Sequence, residues 1–267
     1  LTVSTFTKKL VHFLEARFIE EENIDKAKYL DDVVITVPEA AIKAITKEVE
    51  HLYDNAVEVL SHALSLHRHH YIGATDISCV VKESNKNMNI DIDEFYYKNI
   101  KELYGQILCY TTEAQEYMDT EQKSKVYELK ISCRDIVEAI KDVRELQKNL
   151  NLYLKSGSFE IKQEYNFLRE EIAKTINTIN SIRHIDDDLE VLAKIELLMQ
   201  NIEKLDMIDN GHIDSLIRNN KIETKMATSL INDSSFTYDI SKNLINAASL
   251  LWIKDSDIKN LRSGYET

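Results

Sequence analysis

Between Val37 and Leu66 the apolar residues Ala41, Ile45, Val49, Leu52, Ala56, Val59, Leu60 and Ala63 fall at helical steps of three and four. That spacing places them on one stripe of an α-helix. Pro38, the only proline in the chain, suits the first helical turn, where its missing N–H costs nothing. Glu39 beside it favours the positive helix end. A helix of this length runs for about 45 Å, and a single apolar face that long must pack lengthwise against partners of similar length. The stretch is the expected founding helix of an elongated bundle.

The same period returns further on. Phe95, Ile100, Leu103, Ile107, Leu108 and Tyr110 mark a helix over Glu94–Glu116, with Asp91 or Asp93 as its cap. Val126, Leu129, Cys133, Ile136, Ile140, Val143, Leu146 and Leu150 mark another over Glu121–Tyr153, stopped at Gly157. Ile161, Tyr165, Leu168, Ile172, Ile176 and Ile179 give a third from Ser158 to about Ile182. Helices over Leu189–Leu205 and Glu223–Trp252 follow, with a short one ending near Arg218 between them. No segment alternates long enough for a strand, and five glycines with one proline leave little turn chemistry for an all-β fold. The expected fold is all-α, as two tandem bundles of long antiparallel helices. Residues 1–36 form an N-terminal helix and connection, 37–157 the first bundle, and 158–267 the second bundle with a polar tail.

Residues 4–22 carry an apolar face of Phe6, Leu10, Phe13, Leu14 and Phe18 beside Lys8, Lys9, His12 and Arg17. This is either an ordinary packed helix or a juxtamembrane one whose cations face anionic lipid. The chain opens on Leu1, not Met, and reads as a piece of something longer. No apolar run approaches the length of a membrane span. A formal net charge of −13 disfavours nucleic acid as a partner, since phosphate binding needs clustered Lys and Arg. Cys79, Cys109 and Cys133 are sparse and lack a CxxC pair, as free thiols would be.

His67, His69 and His70 invite a metal reading. They lack the i, i+4 pairing of two helical ligands, and histidines at a helix C-terminus also favour the negative dipole end without metal. No HExxH, nucleophile elbow or phosphate-cradling glycine loop occurs, so no enzyme is expected.

Three stretches taken in order carry a resemblance. They are YLDDVVITVPEAAIKAITKEVEHLYDNAVEVL at 29–60, IDIDEFYYKNIKELYGQIL at 90–108, and IDNGHIDSLIRNNKIETKMATSLINDSSFTYDISKNLINAASLL towards the C-terminus. Together they resemble the cytoplasmic PhoU-like domain of prokaryotic Na+/phosphate cotransporter-family proteins. The resemblance implies two three-helix bundles in tandem at the cytoplasmic face of a membrane, a regulatory role in phosphate transport, and a transmembrane transporter part of the same polypeptide as partner. Long helices with acidic faces also suit a homodimer. The family's E/DxxxD pattern, which holds metal, falls on Glu138 and Asp142, one turn apart. The matching place in the second half reads Ser229 to Asp233, its first acid replaced by serine. The resemblance therefore implies a divalent metal ion on Glu138 and Asp142, expected to face solvent or a partner, with Lys141 as competing counter-ion. Asp233 joins them only if the second bundle folds back on the first. Glu50 and Asp54 repeat the spacing on the founding helix. A free-standing PhoU-like metal-binding regulator and a ligand-free helical scaffold are the alternatives.

Overall fold

The computed structural model describes residues 25–84, 88, 90–203 and 211–253. The basic stretch at 4–22, the end of the helix expected to reach Leu205, and the tail after Ile253 lie outside them. Among the described residues there is no strand, and the helices pack on one another into an all-α fold.

Helix α1 spans Pro38–Ala63, and every residue of its expected apolar stripe is buried. It ends at Ser65, which takes a left-handed φ of 55°. There the N–H groups of Ser65 and Leu66 turn back onto the carbonyls of His62 and Ser61, both at 2.9 Å, satisfying two acceptors that a helix end leaves orphaned. Two short helices follow, α2 (Arg68–Tyr71) and α3 (Ile77–Glu83). The second lies in a stretch whose period is too short to read. Asp76 starts it by accepting the Cys79 N–H at 2.9 Å.

The expected single helix over Glu94–Glu116 is instead built in parts. Helix α4 (Ile92–Tyr96), capped by Asp91, runs into one π-helical turn at Tyr97–Lys101 and then into α5 (Glu102–Ala114). A 3-10 turn and Asp119 lead to α6 (Thr120–Tyr153). Asp119 accepts from the Gln122 N–H at 2.9 Å while the Gln122 side chain receives the Asp119 N–H at 3.1 Å. This reciprocal pair satisfies two orphan donors and fixes where the long helix begins. Ser158 caps α7 (Phe159–Ile182), and α8 (Asp188–Glu203), α9 (His212–Arg218) and α10 (Thr224–Trp252) complete the order.

Side-chain bonds give the helix directions. Along α6 and α10 the partners are Ser132 with Ala247, Asn149 with Asp233, and Tyr153 with Ser229. Positions rise on one helix as they fall on the other, so the pair is antiparallel. Helix α7 runs parallel to α10, since Tyr165 meets Asp233 near one end and the Arg183 guanidinium lies 5.2 Å from the Trp252 ring at the other. On the opposite side of α6, Gln122 reaches Glu39 at the start of α1, and α5 returns between them. One triplet is thus α1, α5 and α6, the other α7, α8 and α10. The buried core continues across both, including Leu150 and Tyr153 before the turn at Gly157 and Ile161 and Tyr165 after it.

Candidate functional site

The antiparallel register of α6 and α10 decides where the acidic residues go. Glu138 stands half-exposed on α6, where its Oε1 is 2.7 Å from Lys141 Nζ, so the counter-ion anticipated from sequence is in place. Asp142, expected to face solvent or a partner with it, is partly covered because α10 of the same chain lies over that side of α6. Burial raises the Asp142 carboxyl to about 6, and the charges of Asp239 on α10 and of Glu138 add to the rise. Asp239 is itself raised, chiefly by burial. Three acids on two helices therefore repel one another.

Asp233 is elsewhere. It is 1% exposed and lies level with Asn149, seven residues beyond Asp142 on α6, or roughly 10 Å along the axis. Its Oδ2 accepts the Tyr165 O–H, and its Oδ1 accepts from Asn149 Nδ2 at 3.3 Å. The Tyr165 ring stacks obliquely on Tyr153 at 5.0 Å, and Tyr153 donates to Ser229. Burial pushes Asp233 up to about 6, while the two hydrogen bonds act the other way. The second triplet does fold against the first, yet this brings Asp233 to Tyr165 and Asn149 and not to Asp142. Among the described residues no group of three or more His, Cys, Asp or Glu is placed to hold a metal ion. As arranged, Glu138, Asp142 and Asp233 do not fit a shared cation.

Asp54, the second acid of the motif on α1, is held between two arginines. Arg68 Nη2 lies 2.8 Å and Arg183 Nη1 2.6 Å from its Oδ1. Burial works to raise this carboxyl, but the two guanidiniums hold it below its ordinary value. The bond joins α1 to the end of α7. At the C-terminal end of α1 the rings of His67, His69 and His70 lie 4.2–5.5 Å apart. His62 meets His67 at 6.1 Å and pairs with Glu58 at 3.1 Å.

Two polar features had no signal in the sequence. Arg169 on α7 is 1% exposed and touches no carboxylate. Its Nε donates to Leu64 O at 2.7 Å, its Nη2 to Ser65 O and Ser84 O at 3.1 and 3.2 Å, and its Nη1 to Asn166 Oδ1 at 2.7 Å. Burial lowers its pKa to about 10. Glu48 on α1 is fully buried and binds the segment that precedes the helix. The chain matches no protein-family model, no curated protein and no solved structure.

Proposed function

We propose that this chain is the regulatory domain of a Na+/phosphate cotransporter-like membrane protein, acting on phosphate transport from the cytoplasmic face. Its principal partner is the transmembrane part of the same polypeptide. The observation that carries the reading is the pairing of two triplets of long helices, α1–α5–α6 and α7–α8–α10, along the antiparallel α6 and α10. That is the arrangement expected of a PhoU-like tandem bundle. A non-enzymatic role goes with it, since the buried polar groups Arg169, Asp233 and Glu48 bond to other parts of the chain. No membrane-crossing helix is present among the described residues, so any span belongs to other parts of the polypeptide. The test is sodium-dependent phosphate uptake by cells carrying the whole polypeptide, with and without residues 37–253. Uptake whose response to phosphate supply changes on deletion supports the reading. A polypeptide that stays out of the membrane fraction overturns it.

The alternative is a PhoU-like metal-binding regulator, acting by contact and as a homodimer. What supports it is the spacing of Glu138 and Asp142, one turn apart on α6 with the acidic Asp239 of α10 nearby, although these acids do not enclose an ion as they stand. Two carboxylates one turn apart supply only part of an oxygen shell, so water or a second chain must complete it. Calorimetric titration of Mg2+, Mn2+ and Zn2+ is expected to give weak heats that vanish in Glu138→Gln/Asp142→Asn. Unchanged heats in that double variant exclude these residues as ligands.

A further inference from the structure

Residues 25–37 cross α1 and α5 as an irregular strap, and none of them is buried. Ala27, Leu30 and Ile35 are partly buried against the core, and the rest of the strap's hold is polar. Glu48 Oε2 accepts the backbone N–H groups of Lys28 and Tyr29 at 2.9 and 2.6 Å, and Glu48 Oε1 meets His51 Nδ1 at 2.7 Å. His51 Nε2 in turn faces Lys28 Nζ at 2.6 Å and Asp25 Oδ2 at 3.2 Å. The first described residue, Asp25, donates its N–H to Lys98 O at 2.8 Å. Gln106 Oε1 on α5 accepts the Ala27 N–H at 2.8 Å.

This attachment is weaker than the packing of the helices. Separating α6 from α10 exposes Ile136, Ile140, Val143, Ile240 and Leu244, all fully or almost fully buried, and each such side chain resists exposure. Lifting the strap exposes only the partly buried Ala27, Leu30 and Ile35 together with a carboxylate and the amides bonded to it. Water solvates the polar groups, and the desolvation cost of the buried Glu48 is recovered on opening. Opening the strap therefore costs less than separating the helices.

We propose that residues 25–37 are a detachable latch, keyed by Glu48, which opens while the helices stay folded. Closed, the latch fixes the preceding chain beside Lys98 and Asn55, which lies level with Asp25 on α1. Open, the fixed point retreats to Pro38, roughly 25 Å along α1. The bundle thus has two defined ways of connecting to residues 1–24, whatever those residues join.

Hydrogen exchange on the whole 267-residue chain tests this, comparing the wild type with Glu48→Gln and Gln106→Ala. In the wild type the Ala27, Lys28 and Tyr29 amides are expected to exchange at least about a hundredfold faster than the amides of α6 and α10, as local opening requires. Glu48→Gln removes a charged acceptor and should speed the strap amides about tenfold more, leaving α6 and α10 unchanged. Gln106→Ala should speed Ala27 exchange without touching a buried charge, and it reports even where Glu48→Gln folds poorly. Strap amides that exchange at the core rate in the wild type and in Gln106→Ala would show the strap to be part of the bundle and overturn the latch. So would equal acceleration of strap and core in a folded Glu48→Gln.

Discussion

Arg169→Ala is expected to destabilise the protein by about 4 kcal/mol, read as a lower urea midpoint with little change in slope. The guanidinium donates to three backbone carbonyls on the side of the chain where α1 ends. Leu64 O and Ser65 O lie at the negative end of the helix dipole, and Ser84 O follows α3. Truncation withdraws this donor and leaves a void in the core. Arg169→Met separates the causes, since it fills most of the volume and still withdraws the donor. A methionine variant that loses only about 1 kcal/mol would assign the effect to packing, because unsatisfied buried acceptors cost about 1–3 kcal/mol each. Arg169→Lys is expected to rescue part of the loss, because one ammonium keeps the charge but cannot span the acceptors as the planar fork does.

Asp233→Asn is expected to stabilise the protein in a way that depends on pH. The ordinary carboxyl value is 3.8, and in the fold Asp233 rises to about 6. Between those values the folded chain holds a proton that the unfolded chain has released. Raising the pH through this window therefore drains stability from the folded state, and below it nothing is lost. The full rise corresponds to about 3 kcal/mol, all of it felt above pH 6. Asparagine keeps an acceptor for the Tyr165 O–H, and a flip of the Asn149 amide satisfies its new donor. The gain of variant over wild type should thus be about 2–3 kcal/mol larger at pH 8 than at pH 3.5. Denaturation at the two pH values checks this, and a pH-independent difference would mean that folding does not shift the Asp233 carboxyl.

The apolar stripes of α1, α6 and α7 were legible in the sequence because burial on a long helix has a period, and Ile45, Ile140 and Ile172 are buried as expected. Ser158 was legible as a start because capping is local. Arg169 was not, because its acceptors are backbone carbonyls about a hundred residues away, and a carbonyl has no letter. The acids divide in a similar way. Their spacing on α6 was visible, but which side α10 would cover depends on a register that no single helix encodes. Asp142 was therefore expected to face solvent or a partner and is half-covered by its own chain, and Asp239 was not singled out at all. Helix α3 escaped because seven residues, three of them β-branched, give too short a period to separate helix from strand.

The π-helical turn at Tyr97–Lys101 has a consequence for heredity. Its wider ring carries one residue more than an α-helical turn and releases backbone carbonyls from the regular ladder. Two carbonyls in that turn have outside donors: Lys98 O takes the Asp25 N–H and Asn99 O takes Asn55 Nδ2. Loss of a single codon here would let α4 and α5 fuse into one regular helix, with Leu103 and Ile107 keeping their places in the core. The same loss would withdraw one of the acceptors that hold the chain before α1, Lys98 O, while Glu48 and Gln106 keep theirs. The outermost point of attachment and the architecture are thus separable by the smallest in-frame change a gene can undergo, and a lineage could abandon the one without endangering the other.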